Sequence, residues 1–143
     1  MNHRYQTATI NRYFIKPTPK PRQTQSDKWK TGSKKRPEVA RYHAFKEQCV
    51  LFGVEVPEEG SHVIFCLAMP KSWPAKKKAA MNGQKHQQKP DIDNLEKALL
   101  DSIYSDDSGV WDIRSSKVWS ETNQIIIIKE ALPLLDYESL LKA

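Results

Sequence analysis

The segment that follows Pro90 constrains the fold more than any other part of this chain of 143 residues. Its apolar side chains recur at intervals of three or four residues, at Ile92, Leu95, Leu99 and Ile103. This spacing puts them on one face of an α-helix, and the opposite face then carries Asp93, Lys97 and Asp101. A helix with one apolar face must bury it against another layer of structure, so the segment predicts a helix packed on a hydrophobic core.

Strand and helix signals follow one another irregularly along the rest of the chain. Stretches rich in β-branched and aromatic residues predict four strands, at 8–15, 63–68, 110–119 and 121–129. Pro37 begins a predicted helix that Gly53 ends, with an apolar face of Val39, Tyr42, Phe45, Cys49 and Phe52. A turn is predicted at 104–109 and a short C-terminal helix at 132–141. Without a regular βαβ rhythm, this order predicts an α+β fold, a small mixed β-sheet packed with helices.

Two segments carry most of the positive charge. The chain has 23 Lys and Arg against 17 Asp and Glu, a formal net charge of +6. Residues 16–36 include eight basic side chains and a single acid, and residues 69–90 include six lysines and no acid. Their proline and lysine content predicts basic loops at about 16–36 and 70–90. Such loops suit a polyanion, because each Lys or Arg laid on a phosphate releases counterions, but they also suit a solvated surface without a ligand.

Several other classes of site lack the residues they need. Cys49 and Cys66 lie in apolar surroundings without a C-x-x-C pair, so we expect reduced, buried thiols in a cytoplasmic protein. The longest apolar run is far shorter than the roughly 20 residues of a membrane span, so we expect no membrane partner. We also expect no small-molecule cofactor. No metal-ligand spacing is found among His3, His43, His62 and His86.

Five aspartates lie close together in a chain that is otherwise basic. The stretch KPDIDNLEKALLDSIYSDDS contains Asp91, Asp93, Asp101, Asp106 and Asp107. One interpretation is structural: Asp93 and Glu96 would form a capping box, and Asp93 would pair with Lys97 one turn later. Acids at the start of a helix also favour its dipole. A calcium loop of the EF-hand type is excluded, because that loop needs an oxygen ligand and a glycine where this chain has Leu95 and Glu96.

A catalytic Mg²⁺ site is the interpretation that the flanking charge favours. Asp91 and Asp93 can point the same way at the start of the helix, and Asp106 or Asp107 can return from the turn beyond it. Magnesium is usually held by a few carboxylates, waters and a phosphate, and in phosphodiester hydrolysis it generates a hydroxide nucleophile and neutralises charge. Lys97 could contact the phosphate or the attacking water. Basic segments must surround such a site, since the acids alone would repel DNA.

The motifs in this region resemble a known family. The run KPDIDNLEKALLDSI, followed by DDSGVWDIRSSKVW, is similar to the RusA family of Holliday-junction resolvases, and MPKSWPAKKKAAMNGQKHQQKPD resembles the lead-in of its phage and prophage members. The resemblance covers about residues 10–129. It implies a single RusA-like nuclease domain over 1–143, encoded by a bacterium or a phage. It further implies a homodimer that cuts symmetrically related strands of a four-way DNA junction in recombination and repair, with Mg²⁺ or, in its place, Mn²⁺.

The resemblance also assigns site residues by position. It implies that the metal ligands are Asp91, Asp93 and Asp107, and that the essential lysine is Lys97. The gap from Lys97 to Asp107 is shorter here than in the cellular resolvase of the family. Asp106 is therefore the alternate third ligand. The expected catalytic residues are Asp91, Asp93, Lys97 and Asp107. Asp101 corresponds to a further acid common in the helix, which either supports the metal ligands from behind or has a structural role.

Contacts to DNA are expected from the basic segments. The expected phosphate contacts are Lys71, Lys76, Lys77, Lys78, Lys85 and Lys89, and Lys117 is expected to line the cleft. Trp73 and Trp29 could stack on an unpaired base, whereas Trp111 and Trp119 are expected in the core or a dimer interface. Two alternatives to a junction resolvase stay open. One is a non-catalytic basic DNA-binding protein whose acids only cap a helix, and the other is a nuclease of the same chemistry acting on forks or flaps.

Overall fold

A mixed four-stranded sheet with helices packed on it forms the fold. The computed structural model describes residues 9–22, 36–130 and 134–143. The elements, in chain order, are β1 (Thr9–Tyr13), α1 (Pro37–Leu51), β2 (Ser61–Ala68), α2 (Ala75–Met81), α3 (Ile92–Ile103), β3 (Ile113–Ser120), β4 (Gln124–Lys129) and α4 (Tyr137–Lys142). The expected α+β class, with a small mixed sheet in a small single domain, is confirmed.

The strands lie in the order β1-β4-β2-β3. β4 pairs antiparallel with both β1 and β2, whereas β2 pairs parallel with β3. A parallel pair cannot be joined by a tight turn, and the crossover from β2 to β3 contains α2 and α3. This crossover is therefore what brings the aspartate-rich helix onto the sheet.

The core lies between the sheet and the two long helices. Alternate residues of a strand share one face, and on β2 and β4 the paired side chains Val63 with Ile127 and Phe65 with Ile125 are all fully buried. Leu95 and Leu99 of α3 are fully buried in the same cluster, which also includes Tyr42, Phe45 and Cys49 of α1. The predicted apolar face of α3 is therefore confirmed at its two central positions.

The end of α1 departs from the sequence expectation at one residue. Pro37 is the first helical residue, as predicted, and Gly53 leaves the helix with a φ of 62°, a conformation that glycine adopts without strain. Phe52, however, follows the last helical residue and is 51% exposed, so its placement on the buried face was wrong. The helix ends at Leu51, so Phe52 is the C-cap residue and does not extend the buried face.

The lysine-rich segment before α3 has more structure than a loop. Residues 75–81 form α2, and residues 83–90, named here the strap, begin by pairing with the edge strand β3. The Gly83 N–H donates to the Trp119 carbonyl over 2.8 Å, the Trp119 N–H to the Gln84 carbonyl over 2.9 Å, and the His86 N–H to the Lys117 carbonyl over 3.1 Å. The strap therefore covers the edge that β3 would otherwise expose.

Other boundaries differ from the expected ones. β3 begins at Ile113, so Trp111 precedes the strand, where it is 54% exposed and contacts the Tyr137 ring at 5.9 Å between centroids. Its expected place in a strand was therefore wrong, whereas Trp119 is buried as expected. β4 and α4 begin later than predicted, at Gln124 and Tyr137.

Part of the first basic segment lies outside the described residues, including Trp29 and most of residues 16–36. The chain is fixed to the core where this segment begins, because Pro17 and the preceding Ile15 are buried. Both cysteines are buried and unpaired. Within the described ranges, no helix has the length and apolar character that a membrane crossing requires.

Truncation of the buried face of α3 should destabilise the protein strongly. Leu99 is fully buried, so Leu99→Ala should lower the free energy of unfolding by about 2–5 kcal/mol, measured by urea denaturation. Leu141→Ala is the matched control: Leu141 is 87% exposed on α4, and its truncation should change that free energy by less than about 0.5 kcal/mol. Equal losses for the two variants would contradict the assignment of α3 to the core.

Candidate functional site

Asp91 and Asp93 stand exposed at the N-terminal end of α3. Asp91 is the N-cap residue, in an extended conformation, but its side chain accepts no capping hydrogen bond. Asp93 lies in the first turn, where its Oδ1 accepts the N–H of Asn94 over 3.0 Å. Both carboxylates therefore keep most of their acceptor capacity for something other than the helix.

The expected capping box does not form. Asp93 lies inside the helix and not at its N-cap, and Glu96 instead accepts a hydrogen bond from the Ser115 hydroxyl of β3 over 2.8 Å. Within the described ranges, Asp93 forms no ion pair with Lys97, which is exposed. The structural interpretation of the two aspartates was therefore wrong in its specific contacts.

Both carboxylates line one open cavity of about 500 Å³. We call it the carboxylate cavity; its lining residues are His86, Gln87, Gln88, Lys89, Asp91, Ile92, Asp93 and Lys117. It is formed where the end of the strap and the start of α3 meet β3. A smaller neighbouring hollow shares Lys89 and Asp91 with it and is also lined by Lys20. Basic side chains therefore stand on both sides of the aspartates.

Lys117 lines the carboxylate cavity, but its ammonium group is bonded to backbone. Its Nζ donates to the Gln88 carbonyl over 2.6 Å and to the Pro90 carbonyl over 2.7 Å. The side chain is half-buried and projects from the edge strand β3. Two of its three donors are thus used on the strap, and one of them binds Pro90, the residue immediately before Asp91.

His86 is a member of the cavity wall that the sequence did not reveal. It is 6% exposed, and its ring lies against the ring of Trp119 with 4.2 Å between centroids. Nδ1 is buried and has no hydrogen-bond partner among the described residues. Burial, and secondarily the positive charge of Lys117, lower the pKa of His86, so the imidazole is neutral near pH 7. The spacing of the histidines in the sequence could not indicate this position, because His86 reaches the cavity wall only through the pairing of the strap with β3.

Asp106 and Asp107 lie beyond the other end of α3. The helix has 12 residues and is therefore about 18 Å long. Asp106 accepts the Ser108 N–H over 3.0 Å, and this bond lowers the pKa of Asp106. Neither Asp106 nor Asp107 lines the carboxylate cavity. The structure therefore brings together two of the expected ligands and does not bring the third to them.

Asp101 and Asp107 are associated with Lys20. The Lys20 ammonium pairs with Asp101 over 2.6 Å, and this hydrogen bond raises the pKa of Lys20, to which the charge of Asp107 contributes. Lys20 is also tied to α3 by its N–H, which donates to the Asn94 carbonyl over 3.3 Å. Asp101 thus has the partner that its expected structural role requires.

The carboxylates of Asp91 and Asp93 fit a magnesium ion, although there are only two of them. Across the described ranges, no group of three or more His, Cys, Asp or Glu side chains is placed to hold one ion. Magnesium does not require such a cage, because it is commonly bound by one or two carboxylates while waters and substrate phosphates complete its shell. Asp91 and Asp93, exposed on one open cavity, meet that requirement.

The lysines of the second basic segment face solvent. Lys71, Lys76, Lys77, Lys85 and Lys89 are exposed and Lys78 is half-buried. The Lys77 ammonium lies 4.1 Å from the centre of the Trp73 ring, and Trp73 in turn lies against Trp119 at 4.9 Å. Trp73 thus attaches the start of α2 to the sheet, and stacking on a base would require Lys77 to move.

Comparison with known proteins gives one match. A family model described as "Endodeoxyribonuclease RusA" matches residues 14–129, a range that includes both cavity carboxylates, Lys97 and Lys117. No curated protein and no solved structure matches the chain. The matched range extends from the end of β1 to the end of β4, so it covers most of the chain.

Protonation of His86 should make the fold less stable in mild acid. In the folded protein the pKa of His86 lies below 6.5, the ordinary value that it regains on unfolding. At a pH between the folded and the unfolded pKa, the unfolded chain binds more protons than the folded one, so the stability of the fold falls as the pH falls. His86→Phe keeps a ring against Trp119 but cannot titrate. Urea denaturation at pH 7.0 and 5.5 should therefore show a smaller loss of stability for the variant than for the wild type. An equal loss in both proteins would contradict the buried, neutral histidine.

Proposed function

This chain belongs to the RusA family of endodeoxyribonucleases, whose members resolve Holliday junctions, and we propose that it is a Mg²⁺-dependent, homodimeric junction resolvase. The observation that carries the proposal is the pair Asp91 and Asp93. Both are exposed on one cavity; Asp91, the N-cap residue, makes no capping hydrogen bond, and Asp93 accepts the N–H of the adjacent Asn94 with one oxygen. In a DNA-binding protein whose acids served only as helix caps, Asp91 would be expected to accept an N–H of the first turn, and it does not.

Asp91 and Asp93 are the residues that we propose to hold the ion. A divalent cation bound there would supply a hydroxide nucleophile and charge neutralisation at the scissile phosphodiester. Asp107, with Asp106 as the alternate, stays a prediction as the third ligand, since neither lines the cavity. Phosphate oxygens and waters can complete the shell of magnesium without it.

Other side chains near the aspartates would bind and orient the DNA. Lys97 lies one helical turn beyond Asp93 and is exposed, so its ammonium is available to the scissile phosphate or to the attacking water. Lys89 lies at the mouth of the cavity, and the exposed lysines of α2 extend the positive surface away from it. Each such contact to a phosphate adds affinity without reading sequence, which suits a substrate defined by its branching.

A homodimer suits the symmetry of a four-way junction. A two-fold dimer presents two identical sites to two symmetrically related strands. The end of α1 supplies apolar surface that a second copy could bury, because Val50, Leu51 and Phe52 are all more than half exposed. We also propose that the protein works in the cytoplasm of a bacterium or an infected cell, where its unpaired cysteines would stay reduced.

Cleavage of a synthetic four-way junction tests the proposal. With Mg²⁺, the wild type should cut two symmetric strands, and it should cut the junction in preference to a fork, a flap or linear duplex assayed beside it. A junction that is bound but left intact would contradict the enzyme. Preferential cutting of forks or flaps would support the metal-dependent cleavage but contradict the four-way junction as the substrate.

Asp93→Asn should separate cutting from binding. The change removes a proposed ligand together with a negative charge that faces the DNA, so cleavage should fall on the order of 100-fold or more while junction binding is kept or tightened. Glu47→Gln is the matched control, since Glu47 is an exposed acid of α1 outside the carboxylate cavity, and it should cut like the wild type. Loss of binding in a folded Asp93→Asn protein would count against the assigned role.

A further inference from the structure

The last part of the strap determines where Asp91 stands. The first part is paired with β3 through backbone hydrogen bonds that end at His86. From there to α3 the strap's described hydrogen bonds to the sheet come from one side chain, because the Lys117 ammonium binds the carbonyls of Gln88 and Pro90. The placement of residues 87–90 against β3 thus depends on a single cation.

The position of these carbonyls bears directly on the site. The Pro90 carbonyl belongs to the peptide group that continues into Asp91, so fixing this oxygen orients the backbone at the N-cap of α3. A hydrogen bond to a charged group is stronger than one between neutral groups, and here two are short and share one ammonium. Lys117 also lines the same cavity as both aspartates, so its charge and its bonds act at the cavity where the ion is proposed to bind.

A direct contact to DNA would be the ordinary role of a lysine in such a cleft. Lys117 is poorly suited to it, because it is half-buried and has two of its three donors in backbone bonds. A phosphate would have to compete with those carbonyls for the ammonium. Lys85, on the same strap, is exposed and suits a phosphate contact better.

We propose that Lys117 is a positioning residue, which holds the Gln88 and Pro90 carbonyls so that Asp91 presents its carboxylate to the cavity that Asp93 also lines. The inference rests on the proposed function in one respect, namely that the two aspartates bind a divalent cation. Loss of the ammonium should release residues 87–90 and misdirect Asp91. Metal affinity and cutting should then fall together, while the affinity for junction DNA should stay as it was.

Two variants separate this role from a DNA contact. Lys117→Met keeps the length of the side chain and removes the charge, and it should raise the dissociation constant for Mn²⁺ about 10-fold, measured by isothermal titration of the protein without DNA. Its dissociation constant for a junction, measured without a divalent cation, should stay within about twofold of the wild type, with the same dependence on salt. Lys85→Met is the comparison for a phosphate contact: it should keep the Mn²⁺ affinity, bind the junction less tightly and reduce the salt slope by about 1.

Chemical rescue tests whether the ammonium itself is responsible. Lys117→Cys treated with 2-bromoethylamine regains an amine at nearly the native length, when the thiolate sulfur displaces bromide, and it should recover most of the Mn²⁺ affinity lost in the untreated variant. The native thiols should not react, because burial raises the pKa of Cys49 to about 11 and also raises the pKa of Cys66. Wild type treated in parallel is the control. Recovery also shows that the variant is folded.

The outcomes distinguish the inference from the function it rests on. Wild-type Mn²⁺ affinity in Lys117→Met, together with weaker and less salt-dependent junction binding, would overturn the positioning role and make Lys117 a phosphate contact. A wild type that binds Mn²⁺ but cuts no junction would contradict the proposed function, while the titrations would still decide the role of Lys117. A wild type that binds no Mn²⁺ would overturn both.

Discussion

Burial of one face of α3 is the constraint on which the rest of the structure depends. Leu95 and Leu99 are fully buried against the sheet, and a helix fixed along one side must present its other side to solvent. That exposed side begins with Asp91 and Asp93 and continues through Lys97. The hydrophobic effect thus orients a group of charged side chains that has no strong contacts of its own. Any loss of packing under α3 would move the carboxylates with it.

Two lysines hold the segments around the site by electrostatic bonds, one to a side chain and one to the backbone. The start of α3 lies between two lysines from other parts of the chain, Lys20 before it and Lys117 on β3. Lys20 is bonded to Asp101, and Lys117 is bonded to carbonyls of the strap, so each ties a neighbouring segment to the site. Two exposed carboxylates in a basic protein would repel each other and attract cations. A divalent ion at this place would relieve that repulsion, and the surrounding lysines would then attract the phosphates of DNA.

The sequence predicted those features that depend on local periodicity. The amphipathic face of α3, the helix from Pro37 to Gly53 and the burial of both cysteines follow from spacing and residue type. It did not predict features that depend on pairing across the chain. His86 reaches the cavity because the strap pairs with β3, and nothing in the strap alone encodes that register. Lys117 was expected in the cleft from the family resemblance, but its bonds to the Gln88 and Pro90 carbonyls were not. The predicted capping box failed for a related reason, since Glu96 finds a partner on β3 that local rules cannot include.

Paramagnetic broadening by Mn²⁺ tests the central claim most directly, namely that the start of α3 is the place where the protein binds a divalent cation. In amide spectra of ¹⁵N-labelled protein with a small amount of Mn²⁺, broadening falls steeply with distance from the ion. The signals of residues 88–94 and of Lys117 should broaden first, and those of residues 106–108 later. Broadening that is strongest at 106–108, or that is spread evenly over the acidic surface, would contradict this account.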